Sequence, residues 1–303
     1  MSKNISSIPD FIIAGAPKCG TTALAFFLSE HPEVCISRIK EPRFFTKLKG
    51  DMEKTIEGDG PRLSGNYEKG FEWYGALFET AVSGQLKGEA STVYFCNEDA
   101  ADLIHKHVPD VKLVFMLREP VNRLYSHYWQ EYKLGFDFPS FDEMVNTSNP
   151  RLLYYKRISA YKDNLMRYLQ LFKPLQIHII IQEEFERDTE GHFKKVQQFL
   201  GLNYHEVDLN KRVNDQVAPK NRKIARLLTV LQSSKMKKII PEKVLEKTGQ
   251  WRKKLFKFNA TSFKYPPMPE TLYDSLKETF EKDIVYVEQL LGRKIEDWQK
   301  QQN

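Results

Sequence analysis

Residues 11–24 read FIIAGAPKCGTTAL: an apolar run, a turn of small residues, and two threonines ahead of a helical stripe. Gly15 and Gly20 have the spacing of a phosphate-binding loop. That pattern continues Gly-Lys-Ser/Thr, whereas here Thr21 stands at the lysine position and Lys18 lies inside the loop. Gly15, Ala16, Pro17 and Gly20 keep side chains out of the way, so backbone N–H groups and the N-terminus of the following helix can face an anion. Lys18 adds a positive charge, and Thr21 and Thr22 add an N-cap and hydroxyl donors. A second constellation, KLVFMLREPVNRLYSHY, is an apolar strand ending in Arg118, then Pro120 at a helix start and Ser126 two turns on. An arginine at a strand end can fork onto a phosphate, with the serine hydroxyl adding to it. Nucleotide hydrolases place an acidic magnesium ligand at the end of such a strand. The basic end here argues for a second phosphate and against a metal.

These residues need a scaffold that brings strand ends together. FIIAG, EVCIS, QLKGEAS, KLVFML and IHIII read as strands, each beside segments of helical spacing. Leu24, Phe27 and Leu28 form one helical stripe, and Leu165, Tyr168, Leu169 and Phe172 another. Phe193, Val196, Phe199 and Leu200 form a third, closed by Gly201. Alternation of this kind predicts an α/β fold: a P-loop-like parallel sheet flanked by helices. The expected organisation is one domain over 1–303, with an α/β core at 8–205 and a helical, basic region at 206–303 that closes the cleft. Loops are expected at 46–70, at FDFPS and at KYPPMPE.

The 303 residues, 41% apolar, suffice for a substantial core. The net charge of +6 is uneven: residues 211–257 hold fifteen Lys/Arg and three Asp/Glu, a local +12, leaving −6 elsewhere. Such a stretch can face an anionic cosubstrate, an acidic polymer or a membrane surface, or be a solvated helix face. Cys19, Cys35 and Cys96 indicate neither a disulfide framework nor a zinc site. The start MSKNISSIPD is unlike a signal peptide, and no stretch approaches the roughly 18 apolar residues of a membrane span. A cytoplasmic protein without a nucleic-acid partner is therefore expected.

Taken together, GAPKCGTTAL, KEPRFF, GFEWYGALF, GEASTVYF and REPVNRLYS resemble, in order and spacing, the sulfotransferases that use 3′-phosphoadenosine 5′-phosphosulfate (PAPS). The resemblance is strongest to the heparan sulfate and Nod-factor branch and covers most of residues 10–200. It implies that Ala16, Pro17, Lys18, Cys19, Gly20, Thr21 and Thr22 hold the 5′-phosphosulfate, while Arg118 and Ser126 hold the 3′-phosphate. It implies a metal-free transfer in which Lys18 stabilises the departing adenosine 3′,5′-bisphosphate. Glu41 in KEPRFF matches the branch's general base, with Phe44 and Phe45 as walls that desolvate it.

Arg43 either contacts an anionic acceptor or pairs with Glu41. Glu89 either orients Lys18, binds the acceptor, or satisfies the core. Tyr161, in SAYKDNLMRYL, either lines the cleft or packs. Lys220 and Arg222 lie where the resemblance puts a loop closing on the cosubstrate. Ala90 departs from several polysaccharide enzymes of the branch, which carry a lysine there, and so admits a different, smaller acceptor. The acceptor is expected to be a hydroxyl-bearing metabolite or oligosaccharide. Two other readings stand beside this one: a P-loop kinase or NTPase, and a non-catalytic binder of acidic glycans through residues 211–257.

Overall fold

The computed structural model describes residues 8–47, 65–134, 139–147, 149–209, 217–231, 254–255 and 258–299. All five expected strands form: β1 (Phe11–Gly15), β2 (Val34–Ile36), β3 (Leu86–Ala90), β4 (Lys112–Leu117) and β5 (Ile177–Ile181). They make one parallel sheet in the order β2-β3-β1-β4-β5. β1 is buried along its whole length, and β4 along nearly all of it, which is why both read as continuous apolar runs rather than alternating ones. Ile13 lies in register with Ala90 on one side and Val114 on the other. Gly88 permits that closeness, since a Cβ there would stand 2.0 Å from the Phe11 ring.

The helices are α1 (Thr21–Ser29), α2 (Gly70–Gly75), α3 (Ala100–His107), α4 (Pro120–Lys133), α5 (Phe141–Asn146), α6 (Pro150–Ser159), α7 (Tyr161–Leu171), α8 (Gln182–Arg187) and α9 (Thr189–Leu200). The three expected stripes fall on α1, α7 and α9, and Gly201 ends α9 in the left-handed region. The C-terminal part adds β6 (Val217–Pro219), α10 (Arg222–Leu231), β7 (Ala260–Ser262), α11 (Glu270–Thr279) and α12 (Glu281–Leu291). It is thus not purely helical: β6 and β7 pair antiparallel, Val217 opposite Ser262. The pairing is clamped by Asn259, whose Oδ1 accepts from the N–H of Asn221 at 2.9 Å and whose Nδ2 donates to the Asn221 carbonyl at 2.9 Å. Residues 211–216, 232–253 and 256–257 of the basic stretch, including Trp251, Arg252 and Lys253, lie outside the described residues.

One apolar core surrounds the sheet and takes in Ile284 and Val287 of α12 together with Ile295 and Trp298. A second joins Val121, Leu124 and Tyr128 of α4 to Leu152 and Tyr155 of α6 and to Tyr273 and Leu276 of α11. Helices from beyond residue 206 therefore complete both cores, as in a single α/β domain. No described helix is long and apolar enough to cross a membrane.

Candidate functional site

The loop after β1 is shaped by three residues with positive φ: Gly15 (145°), Lys18 (71°) and Gly20 (85°). At Gly15 a Cβ would come within 2.4 Å of the Phe95 Cβ, so only glycine fits. The Ala16 N–H donates to the Met116 carbonyl at 2.8 Å, which stitches the loop to the end of β4. Gly20 opens α1, its carbonyl accepting from Ala23 N–H at 2.9 Å, so the positive end of the helix dipole faces the loop. Ala16 and Cys19 are fully buried, and burial pushes the Cys19 thiol up to about 12. Both serve the loop through backbone and packing.

Lys18 reaches across to α4 and donates to Gln130 Oε1 at 3.1 Å. Burial, then the positive charges of Lys133 and Arg118, lower its pKa to about 8. Arg118 follows β4 directly. Next to it the buried Glu119 caps α4, its carboxylate accepting from Val121 N–H at 3.2 Å and Asn122 N–H at 2.7 Å; burial lifts its pKa to about 7. Ser126, Gln130 and Lys133 follow at helical spacing on one face of α4, with Ser126 buried. Arg123, fully buried, donates to Ser159 Oγ at 2.6 Å and to the Tyr155 carbonyl at 2.7 Å. Lys133 lies over the Tyr265 ring, 4.8 Å from its centroid. Among the described residues, none of Lys18, Arg118, Arg123 and Lys133 stands within ion-pair distance of a carboxylate. Lys18, Arg118 and Lys133, with no carboxylate partner among the described residues, make a site for a multiply charged anion, to which the buried Arg123, its donors spent on Ser159 and Tyr155, adds charge but no free donor.

The segment carrying Glu41 lies at the end of β3. Glu41 and Arg43 both take positive φ, 55° and 50°. The Glu41 carboxylate accepts from Thr92 N–H and from Thr92 Oγ1, each at 2.9 Å, and Arg43 Nε stands 4.0 Å away. Its side chain keeps 21% exposure, enough for a substrate group to reach it. Desolvation raises its pKa, opposed by the Thr92 hydroxyl and Arg43. The Thr92 carbonyl in turn lies 3.3 Å from where a Cβ on Gly15 would be. Thr92 therefore couples the two halves of the site: it holds a half-desolvated carboxylate beside the first residue of the anion loop.

The structure brings Lys18, Arg118, Ser126 and Glu41 to the C-terminal ends of β1, β3 and β4. It does not bring there three residues expected on the acceptor side: Glu89 as an acceptor contact, Phe45 as a wall and Tyr161 as a lining of the cleft. Glu89 is fully buried with both oxygens occupied by Tyr74, Tyr94 and Ser91, so it neither touches an acceptor nor orients Lys18, whose hydrogen bond goes to Gln130. Phe45 is fully buried against Tyr74 and Tyr94. Tyr161 is fully buried too, its hydroxyl donating to the Arg118 carbonyl at 2.6 Å, so it braces the turn that presents Arg118. Lys220 is exposed beside the Phe258 ring, next to β6, which packs on α4. The Arg222 side chain lies outside the described residues. Three residues of the candidate site escaped sequence reasoning. Gln130 and Lys133 stand four and seven residues after Ser126, a helical-face signal that was there to read. Thr92, inside GEASTVYF, carried no signal of its own.

The model of the Sulfotransferase family matches residues 9–206. Mouse (Mus musculus) heparan sulfate glucosamine 3-O-sulfotransferase 3A1 is 30% identical over 207 residues, 67% of this chain and 48% of the relative. Mouse bifunctional heparan sulfate N-deacetylase/N-sulfotransferase 4 is 30% identical over 217 residues, 67% of this chain and 23% of the relative. The chain thus spans about half or less of these relatives' length. A crystal structure of a sulfotransferase from Alicyclobacillus acidocaldarius shares the fold, with a TM-score of 0.67 and 24% identity over 97% of this chain and 99% of that one.

Proposed function

The chain belongs to the sulfotransferase family, and on that premise we propose that it transfers a sulfuryl group from PAPS to an acceptor hydroxyl. The observation that carries the reading is the group of Lys18, Arg118 and Lys133, free of carboxylates among the described residues, around a glycine-shaped loop at a helix N-terminus. A donor with a phosphosulfate at one end and a 3′-phosphate at the other matches that spread of charge, and a single phosphate would not need it. When bound, the donor supplies an activated sulfur whose bond to the bridging oxygen can break without a metal.

The residues divide the work accordingly. The N–H groups from Ala16 to Thr22 and the α1 N-terminus hold the 5′ end, while Arg118 and Ser126 hold the 3′-phosphate. Glu41 takes the proton of the acceptor hydroxyl as the oxygen–sulfur bond forms on the side opposite the leaving group. Lys18 meets the negative charge left on the bridging oxygen as the sulfur–oxygen bond breaks, and adenosine 3′,5′-bisphosphate departs with that electron pair. Arg43, beside Glu41, gives the acceptor side a cation, and we assign acceptors bearing hydroxyl groups on oligosaccharides or small metabolites. Lys220, exposed just after β6, the strand that packs against α4, is the residue we assign to close over the donor.

The test is transfer of label from donor radiolabelled in its sulfuryl group to a panel of oligosaccharide and small-alcohol acceptors. Labelled product that needs Lys18 and Glu41 is expected. Donor turnover that needs magnesium and a nucleoside triphosphate would replace this reading with that of a kinase.

A further inference from the structure

The Glu89 carboxylate is fully buried between sheet and loop and meets three hydroxyls. Tyr74 OH donates to Oε1 at 2.7 Å, Tyr94 OH to Oε1 at 2.8 Å, and Ser91 Oγ to Oε2 at 2.6 Å. Two of these hydroxyls have a second task. Ser91 Oγ accepts the Arg43 N–H at 2.9 Å, and Tyr94 OH accepts the Phe45 N–H at 3.1 Å. Tyr74, on α2, gives the loop no hydrogen bond: its hydroxyl goes to Glu89, and its ring, which a phenylalanine would keep, stacks flat on Phe44 with centroids 4.2 Å apart and packs edge-on against Phe45 and Phe78.

A hydroxyl has one proton, and the ionised Glu89 carboxylate, the form present above its pKa of about 7, acts only as acceptor. Once Ser91 and Tyr94 commit their protons to Glu89, their remaining lone pairs must face the loop, where two N–H groups wait. We propose that Glu89 is a positioning residue for the 41–45 segment: by fixing the hydroxyl directions of Ser91 and Tyr94, it holds the strained backbone that presents Glu41 to the acceptor. This inference rests on the reading of Glu41 as base. The strain is real at Glu41 and Arg43, whose φ of 55° and 50° a non-glycine residue adopts only under restraint. Two backbone bonds also restrain the segment, Glu41 N–H to the Ala90 carbonyl at 3.2 Å and Asn66 N–H to the Arg43 carbonyl at 2.9 Å.

In Glu89→Gln an NH₂ donor replaces one accepting oxygen. At least one of the three hydroxyls must then accept from it, leaving its own proton to collide with a loop N–H or go unpaired. The expected result is a fall in kcat of about tenfold or more, with the donor KM and the affinity for adenosine 3′,5′-bisphosphate within about twofold of wild type. Ser91→Ala and Tyr94→Phe, each removing one strut, share that signature. Tyr74→Phe removes a hydrogen bond to the same carboxylate but no strut, so it lowers Tm and leaves kcat within about twofold. A merely structural Glu89 would make Tyr74→Phe and Tyr94→Phe alike.

The groups facing this hub are Tyr74 from α2, Tyr94 and Ser91 from the turn after β3, Ile12 opposite in β1, and Glu41 with Lys40 and Arg43 beside it. A readout free of the reaction separates this inference from the function itself. Amide hydrogen exchange at Arg43 and Phe45 should quicken about tenfold in Glu89→Gln and not in Tyr74→Phe. Unchanged exchange in Glu89→Gln overturns the positioning role even if the protein transfers nothing. Kinetics alike in Tyr74→Phe and Tyr94→Phe overturn it when transfer is intact.

Discussion

At the scale of single residues, the site depends on two groups held away from their ordinary ionisation. In the proposed reaction Lys18 must be charged to meet the leaving group, yet burial and the cations around it bring its pKa to about 8. In the free protein it loses its proton as pH rises through 8, so kcat/KM should fall on the alkaline side with a midpoint near 8. Lys18→Arg, with a guanidinium that keeps its charge, should move that limb upward by more than a unit while lowering the plateau. As the proposed base Glu41 must be ionised, and Glu41→Gln should lower kcat by roughly 10²-fold or more while leaving bisphosphate affinity within about twofold. Steady-state kinetics with calorimetric titration would separate the two effects. Lys18 and Glu41 could be singled out from sequence because both lie in short motifs whose neighbours share their purpose. The burial of Glu89 and Tyr161 could not, because it comes from α2, α7 and the end of β4, which meet only in the folded chain.

At the scale of elements, loop and helix ends do the positioning. Gly15 leaves no room for a side chain and has a φ of 145°, so Gly15→Ala should destabilise by about 2 kcal/mol or more in urea unfolding. It should also weaken bisphosphate binding, since the residue starts the anion loop. Helix α4, which carries Ser126 and Gln130, is anchored to α6 through a buried network. Glu131 accepts from Arg151 at 2.5 Å and from Tyr155 OH at 2.5 Å, with both charged side chains 5% exposed. Arg151→Ala would strand a buried carboxylate and should cost about 3 kcal/mol, whereas the double replacement Arg151→Met with Glu131→Leu should cost much less. The five main strands were legible because burial on both faces writes continuous apolar runs. The β6 and β7 strands were not: each has three residues, and their pairing depends on Asn259 meeting Asn221 across 38 positions.

At the scale of the whole molecule, sheet order decides where the chemistry can occur. The chain leaves β1 for β2 and β3 on one side, then crosses to β4 and β5 on the other. The connections after β1 and β4 diverge from neighbouring strands and open a crevice at their C-terminal ends, where an α/β sheet binds ligands. The same packing lets one buried group report on global stability. Burial lifts the Glu89 pKa from its ordinary 4.5 to about 7, so between those values the folded chain keeps a proton that the unfolded chain has lost. This group therefore makes stability fall as pH rises from about 4.5 to 7, by roughly 3 kcal/mol over the window. Urea unfolding of wild type and Glu89→Gln at pH 5 and pH 7.5 should show that difference, with the variant lacking this part of the slope.

The central claim is that Lys18, Arg118 and Lys133 around a glycine-shaped loop are arranged for a donor phosphorylated at both ends. Calorimetric titration with adenosine 3′,5′-bisphosphate in the absence of divalent metal tests it most directly. The expected result is one-to-one binding that weakens about tenfold or more when the ligand lacks its 3′-phosphate or the protein carries Arg118→Ala. Binding that ignores both the 3′-phosphate and Arg118, or that appears only with magnesium and ATP, would contradict it.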